Sequence, residues 1–159
     1  MSTNALPGTG KKVSIIGVPL GFGAGKQGSE LGVEAMRMAL IRDKTIIEHI
    51  ADLGYEAIDA GDVEIPKPTQ AAAPGENPKY LREMIEACGN MAASVKSILA
   101  DGAIPVILGG DHSIAIGTES GIASHFRARG EDIGLIWFDA HADINTPATS
   151  DPIGFALSP

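Results

Sequence analysis

The chain is poor in cysteine and in positive charge, and it has no long apolar run. Its single cysteine, Cys88, excludes a disulfide within the chain and suits a reducing cytosol. Cys88 falls in a helical stretch and reads as core packing rather than chemistry. Lysine and arginine number 12 against 20 acidic residues, for a net charge of −8. With no basic run anywhere, that balance argues against a nucleic-acid partner. No stretch approaches the roughly 18–20 apolar residues of a membrane span, which argues against a membrane partner. Met1–Gly10 is small and polar without an apolar centre, so it is not a secretory signal. The expected localisation is cytoplasmic.

What is present is enough chain for one domain of 159 residues. Residues 1–11 read as a flexible arm. A strand is expected over 12–18, then a glycine-rich loop from Gly21 to Gly32. Val33 to Leu53 has helical composition, with Asp43 able to cap a second segment within it. A weaker strand covers Tyr55–Asp59, and Gly61 starts a loop. Residues 62–78 hold Pro66, Pro68, Pro74 and Pro78 and read as an excursion loop. Asn77-Pro78 then opens a helix to about Ala100. Strand 104–108, helix 113–129 with Ser113 as its N-cap, and strand 133–138 complete the pattern. This alternation implies an α/β fold with a parallel sheet and helices on both faces.

One motif points elsewhere and fails. Gly23-Ala24-Gly25-Lys26-Gln27-Gly28 has the GxGxxG shape of a dinucleotide fingerprint. The acid that should follow about 20 residues on is missing, because Asp59 comes too late. Gln27 also stands where a P-loop needs serine or threonine, and Leu20 where it needs its first glycine. A loop near the strand ends is the better reading.

The chemistry sits at the ends of two apolar runs. Ile133–Phe138 leads into Asp139-Ala140-His141-Ala142-Asp143, and a strand would project Asp139, His141 and Asp143 to one side. Ile104–Leu108 leads into Gly109-Gly110-Asp111-His112-Ser113, which puts His112 at a strand-to-helix junction. Ligands in open α/β sheets lie beyond such carboxyl ends, so His112 can converge with the acidic cluster. Carboxylate oxygens with imidazole nitrogens suit a divalent metal, and carboxylate-rich sets lean toward manganese. Asp111 reads as orienting His112 or the turn rather than as a ligand. His49 and His125, on helical segments without partner acids, read as surface or structural residues.

These two motifs resemble those of the ureohydrolases, the arginases, agmatinases and their relatives. Val13–Pro19 is similar to the family's first strand, and Gln27–Glu34 to its first loop and helix start; the similarity covers about residues 12–150. The fold it implies is a three-layer α/β/α sandwich around a parallel sheet, of which this chain holds about the first half. The run Ile144-Asn145-Thr146-Pro147 and the stretch His112–Gly117 are similar to arginases rather than agmatinases. The resemblance implies hydrolysis of L-arginine to ornithine and urea by hydroxide held between two Mn²⁺ ions. His112, Asp139, His141 and Asp143 match metal ligands, with Asp139 bridging. His141 and Asp143 match catalytic residues, and Asp143 would carry the proton to the leaving amine. Asn145, with Asp143, matches the substrate-binding positions, Asn145 on the α-carboxylate that agmatine lacks.

The family pattern also holds a Gly-Asn-x-His-Gly motif and a later strand with an Asp-x-Asp pair. Ser150–Pro159 does not resemble it, and residues 151–159 read as a non-family tail. The reading is therefore an incomplete arginase-type hydrolase. Its alternatives are a non-catalytic chain that holds metal weakly or joins full-length subunits, and an agmatinase or related amidinohydrolase. A homo-oligomer is the family expectation.

Overall fold

A computed structural model of the chain describes residues 10–24, 27–68, 80–141 and 143. Among the described residues three strands form a sheet: β1 (Lys12–Val18), β2 (Glu56–Asp62) and β3 (Ile104–Gly109). They are parallel and lie in the order β2-β1-β3. Between β1 and β2 run a single 3₁₀ turn (Ser29–Leu31), α1 (Gly32–Met38) and α2 (Ile46–Asp52). Between β2 and β3 runs α3 (Leu81–Ala100), and α4 (Ile114–Arg127) follows β3.

Strand alternation sends β1's side chains into two cores. Val13 and Ile15 face Val33 of α1, Leu108, and the partly buried Ile46, Ile47 and Ile50 of α2. Ile16 and Val18 face Met84, Ala87, Met91 and Val95 of α3, with Ile114 and Ile122 of α4 packed against them. Helices therefore cover both faces of a parallel sheet, the three-layer α/β architecture expected. Helices α3 and α4 approach closely because Gly117 and Gly121 leave room: a Cβ on Gly121 would lie 2.7 Å from the Ala92 carbonyl oxygen. Cys88 is half-buried against this core and its thiol pKa is pushed up by burial, as a packing residue's would be.

Several boundaries differ from the expectation, each for a local reason. Asp43 does not cap α2. It sits with Arg42 in left-handed backbone, and Thr45 forms a capping box with Glu48 instead, the Thr45 N–H donating to Glu48 Oε2 at 2.7 Å. Gly61 does not begin a loop: β2 runs through it as a bulge, with φ of 83° and a register shift against β1. Residues 133–138 do not join the sheet. Ile136 is 90% exposed and Phe138 102%, so no described element covers this run. A continuous apolar strand needs both faces covered to be stable, and none of the described residues covers this run.

The arm residues 1–9, the glycine-loop residues Gly25 and Lys26, residues 69–79 with the expected helix start at Pro78, and the tail 151–159 lie outside the described residues. Among the described residues no helix is long and apolar enough to cross a membrane.

Candidate metal centre

The carboxyl ends of β1 and β3 lie side by side and continue as paired chain. The Gly110 N–H donates to the Val18 carbonyl at 3.1 Å, and the Asp111 N–H to the Leu20 carbonyl at 2.7 Å. This fixes the turn that presents His112. Ser113 occupies the position before α4, but its hydroxyl does not cap the helix; it donates to Asp111 Oδ1. Asp111 is buried and accepts the Ser113 N–H within the turn and the Gly23 N–H from the loop after β1, so it serves the turn rather than the cluster.

Opposite His112 the chain returns through Trp137 to Asp143. His112 Nδ1 lies 3.4 Å from Asp139 Oδ2, and its Nε2 lies 3.0 Å from Asp143 Oδ2. One ligand atom from each of the three residues falls within 4.8 Å of the others. Asp143 is nearly enclosed, with 7% of its side chain exposed. The arrangement is not the strand alternation expected. The His141 N–H donates to Asp139 Oδ1 at 2.8 Å, a turn closed by an aspartate side chain, and Asp143 adopts left-handed backbone with φ of 50°. A turn, not a strand, brings the two carboxylates to His112.

The four expected ligands therefore separate. His112, Asp139 and Asp143 converge; His141 stands at the rim, 55% exposed, with Nδ1 3.5 Å from Asp139 Oδ1. Asn145 lies outside the described residues. His49 and His125 take no part: His49 Nε2 meets the Ile41 carbonyl at 2.7 Å, and His125 packs edge-on against Phe126.

Trp137 is a member of the site that sequence reading passed over as one more apolar residue of its run. Its ring lies 5.0 Å from the His112 ring, and its indole N–H donates to Asp143 Oδ2 at 3.2 Å. The cue available in the sequence was its place two residues before Asp139, since an indole N–H beside carboxylates finds an acceptor. A cleft between Gly110–Ala115 and Ile136–Asp139 opens on the cluster.

The donor set fits a divalent ion. His112 Nε2 is buried and has no hydrogen-bond partner, although a carboxylate oxygen lies 3.0 Å away. A neutral imidazole carries one N–H, and here both ring nitrogens face carboxylates. A cation among these atoms satisfies all three groups. The Asp139 carboxyl is already held below its ordinary pKa of 3.8, first of all by the His141 N–H; burial opposes this, and the charges of His112 and His141 add to the lowering. It is thus ionised, as a ligand must be.

The family model described as the arginase family matches residues 11–154. The chain belongs to the arginase family. Arginase from Bacillus caldovelox is 41% identical over 141 residues, which are 88% of this chain and 44% of that protein. Arginase from Bacillus subtilis (strain 168) is 36% identical over 140 residues, again 44% of its length. The solved structure of the Bacillus caldovelox arginase matches with a TM-score of 0.77 at 39% identity, over 91% of this chain and 46% of that one. The agmatine ureohydrolase of Thermoplasma volcanium matches with a TM-score of 0.61 at 21% identity, a likeness of fold alone. The chain thus spans a little under half the length of the arginases it matches.

Proposed function

We propose that the chain carries part of the metal centre of an arginase-type hydrolase, one that converts L-arginine to ornithine and urea. The observation that carries this reading is the convergence of His112, Asp139 and Asp143 at the sheet's carboxyl edge, in a chain 41% identical to an arginase over most of its length. His112, Asp139, His141 and Asp143 are the residues we assign to Mn²⁺. Two such ions, when bound, supply hydroxide near neutral pH and stabilise developing negative charge.

The chain's own residues do the remaining work. Hydrolysis breaks the bond between the guanidinium carbon and the Nε of arginine, and that nitrogen must gain a proton to leave as the ornithine amine. Asp143 is the group we assign to that transfer through Oδ2, because its side chain is enclosed and held by the Trp137 N–H. His141, exposed at the rim, is the second residue to which we assign a catalytic role. Asn145 is assigned to the substrate's α-carboxylate. Trp137 and the turn around His112 flank one side of the cluster.

A second reading has its own observation: the cluster has three converging donors and the adjoining run 133–138 is uncovered. On that reading the chain holds metal without turnover, or completes its site against a full-length subunit of a homo-oligomer. Urea released from L-arginine and from agmatine, with bound Mn²⁺ measured on the same sample, separates these. Greater release from arginine supports the arginase reading, and bound Mn²⁺ without urea supports the second. A chain that binds no Mn²⁺ contradicts both, and faster turnover of agmatine contradicts the choice of substrate.

A further inference from the structure

The glycine motif that fails as a nucleotide site has a different partner. Asp111 is 5% exposed, and its carboxylate accepts four hydrogen bonds. Oδ2 takes the N–H groups of Gly23 at 2.8 Å and Ala24 at 3.0 Å. Oδ1 takes the Ser113 N–H at 3.0 Å and the Ser113 hydroxyl. The first pair lies 88 and 87 residues away in sequence, at the tip of the loop after β1. The second pair is the first turn of the helix that follows His112. Gly23 packs against this carboxylate so closely that a Cβ would lie 2.9 Å from Asp111 Oδ1 and closer still to Ser113 Oγ. The glycine is needed there for close approach, not for a phosphate.

We propose that Asp111 is a positioning residue that ties the 21–24 loop to the His112 turn, so that loop order and metal capture are linked. The proposal rests on the metal-site reading above. The physical basis is that both donor pairs, three N–H groups and one hydroxyl, converge on one buried carboxylate, and charge-assisted hydrogen bonds of this kind are the strong ones. His112 is the next residue, so anything that loosens Asp111 lets the ligand's backbone move. Linkage is reciprocal: if the tied loop raises metal affinity, bound metal must in turn protect the Gly23 and Ala24 amides from exchange.

The test is amide hydrogen exchange at Gly23 and Ala24, with and without Mn²⁺, together with Co²⁺ titration followed by its visible absorption. Both are run on the full chain and on Asp111→Asn, Gly23→Ala and Thr45→Ala. An asparagine amide must point its NH₂ at a backbone N–H whichever way it turns, and an alanine at 23 pushes the loop off from the other side. Both variants are expected to unprotect Gly23 and Ala24 and to weaken Co²⁺ binding about 10- to 100-fold. Thr45→Ala removes the capping box of α2; it is expected to melt earlier while binding Co²⁺ like the parent. Should Asp111→Asn fail to fold, Gly23→Ala carries the comparison. Parent-like Co²⁺ affinity in Gly23→Ala, or an equal loss in Thr45→Ala, overturns the proposal. A parent chain that takes up no Co²⁺ overturns the metal reading and the linkage with it, a pattern distinct from metal uptake that ignores the loop.

Discussion

Trp137 offers the sharpest perturbation of the site, because it makes two separable contacts. Its ring lies over His112 and its N–H holds Asp143 Oδ2. Trp137→Phe keeps the first and deletes the second. A hydrogen bond to a charged group contributes about 1.5–3 kcal/mol. Trp137 is 39% exposed, so water can replace part of what is lost and the lower end applies. About 1.5 kcal/mol corresponds to roughly tenfold weaker metal binding. Trp137→Ala also removes the ring contact, about 0.5–1.5 kcal/mol more, for a total loss of about 30- to 150-fold. Mn²⁺ titration of the two variants, with circular dichroism to confirm unchanged secondary structure, reads both steps. Equal affinity in Trp137→Phe and the parent would refute the role given to the indole N–H. Equal losses in the two variants would refute the contribution of the ring.

Other consequences concern the scaffold and its pH behaviour. Met91 is fully buried between α3 and the sheet, so Met91→Ala should cost about 2–5 kcal/mol in urea denaturation. Gly121→Ala gains about 1 kcal/mol of helix propensity but forces a Cβ to 2.7 Å from the Ala92 carbonyl. Overpacking of that kind costs about 1–3 kcal/mol, so thermal melting should show a net loss, and a higher Tm would contradict the packing. The Asp139 carboxyl has its pKa lowered from 3.8. Its contribution to stability is therefore complete above the unfolded value and fades only as pH falls through the lower folded one. An NMR titration of Asp139 in the metal-free chain should give a midpoint below 3.8, and a midpoint above it would contradict the contacts described.

Much of the fold was legible because its signals are local. Strand β1 appears over the expected residues, since a short apolar run bounded by glycine and proline leaves few alternatives. Helices α3 and α4 fall within their expected spans on the strength of long periodic segments. The errors have two causes. Local competition decided some: Asp111, two residues back, claimed the Ser113 hydroxyl, and Thr45 with Glu48 took the cap expected of Asp43. Pairing distant in sequence decided the other, since β1 carries β2 through Gly61. The run 133–138 has a strand's composition, but composition cannot supply the layers that would cover it. For the candidate site, residue types singled out His112, Asp139 and Asp143, which the structure brings together, whereas the turn that gathers them and the indole that holds Asp143 depend on three-dimensional contacts. The same holds for Gly23, whose role is set by a carboxylate on another strand's end.

The measurement that tests the account most directly is Mn²⁺ titration of the chain beside His112→Ala, Asp139→Ala and Asp143→Ala, with bound metal quantified after removal of free ion. The account predicts that the parent retains Mn²⁺ and that each substitution abolishes or severely weakens binding while secondary structure persists. Retention of the parent's metal content in the three variants would contradict it.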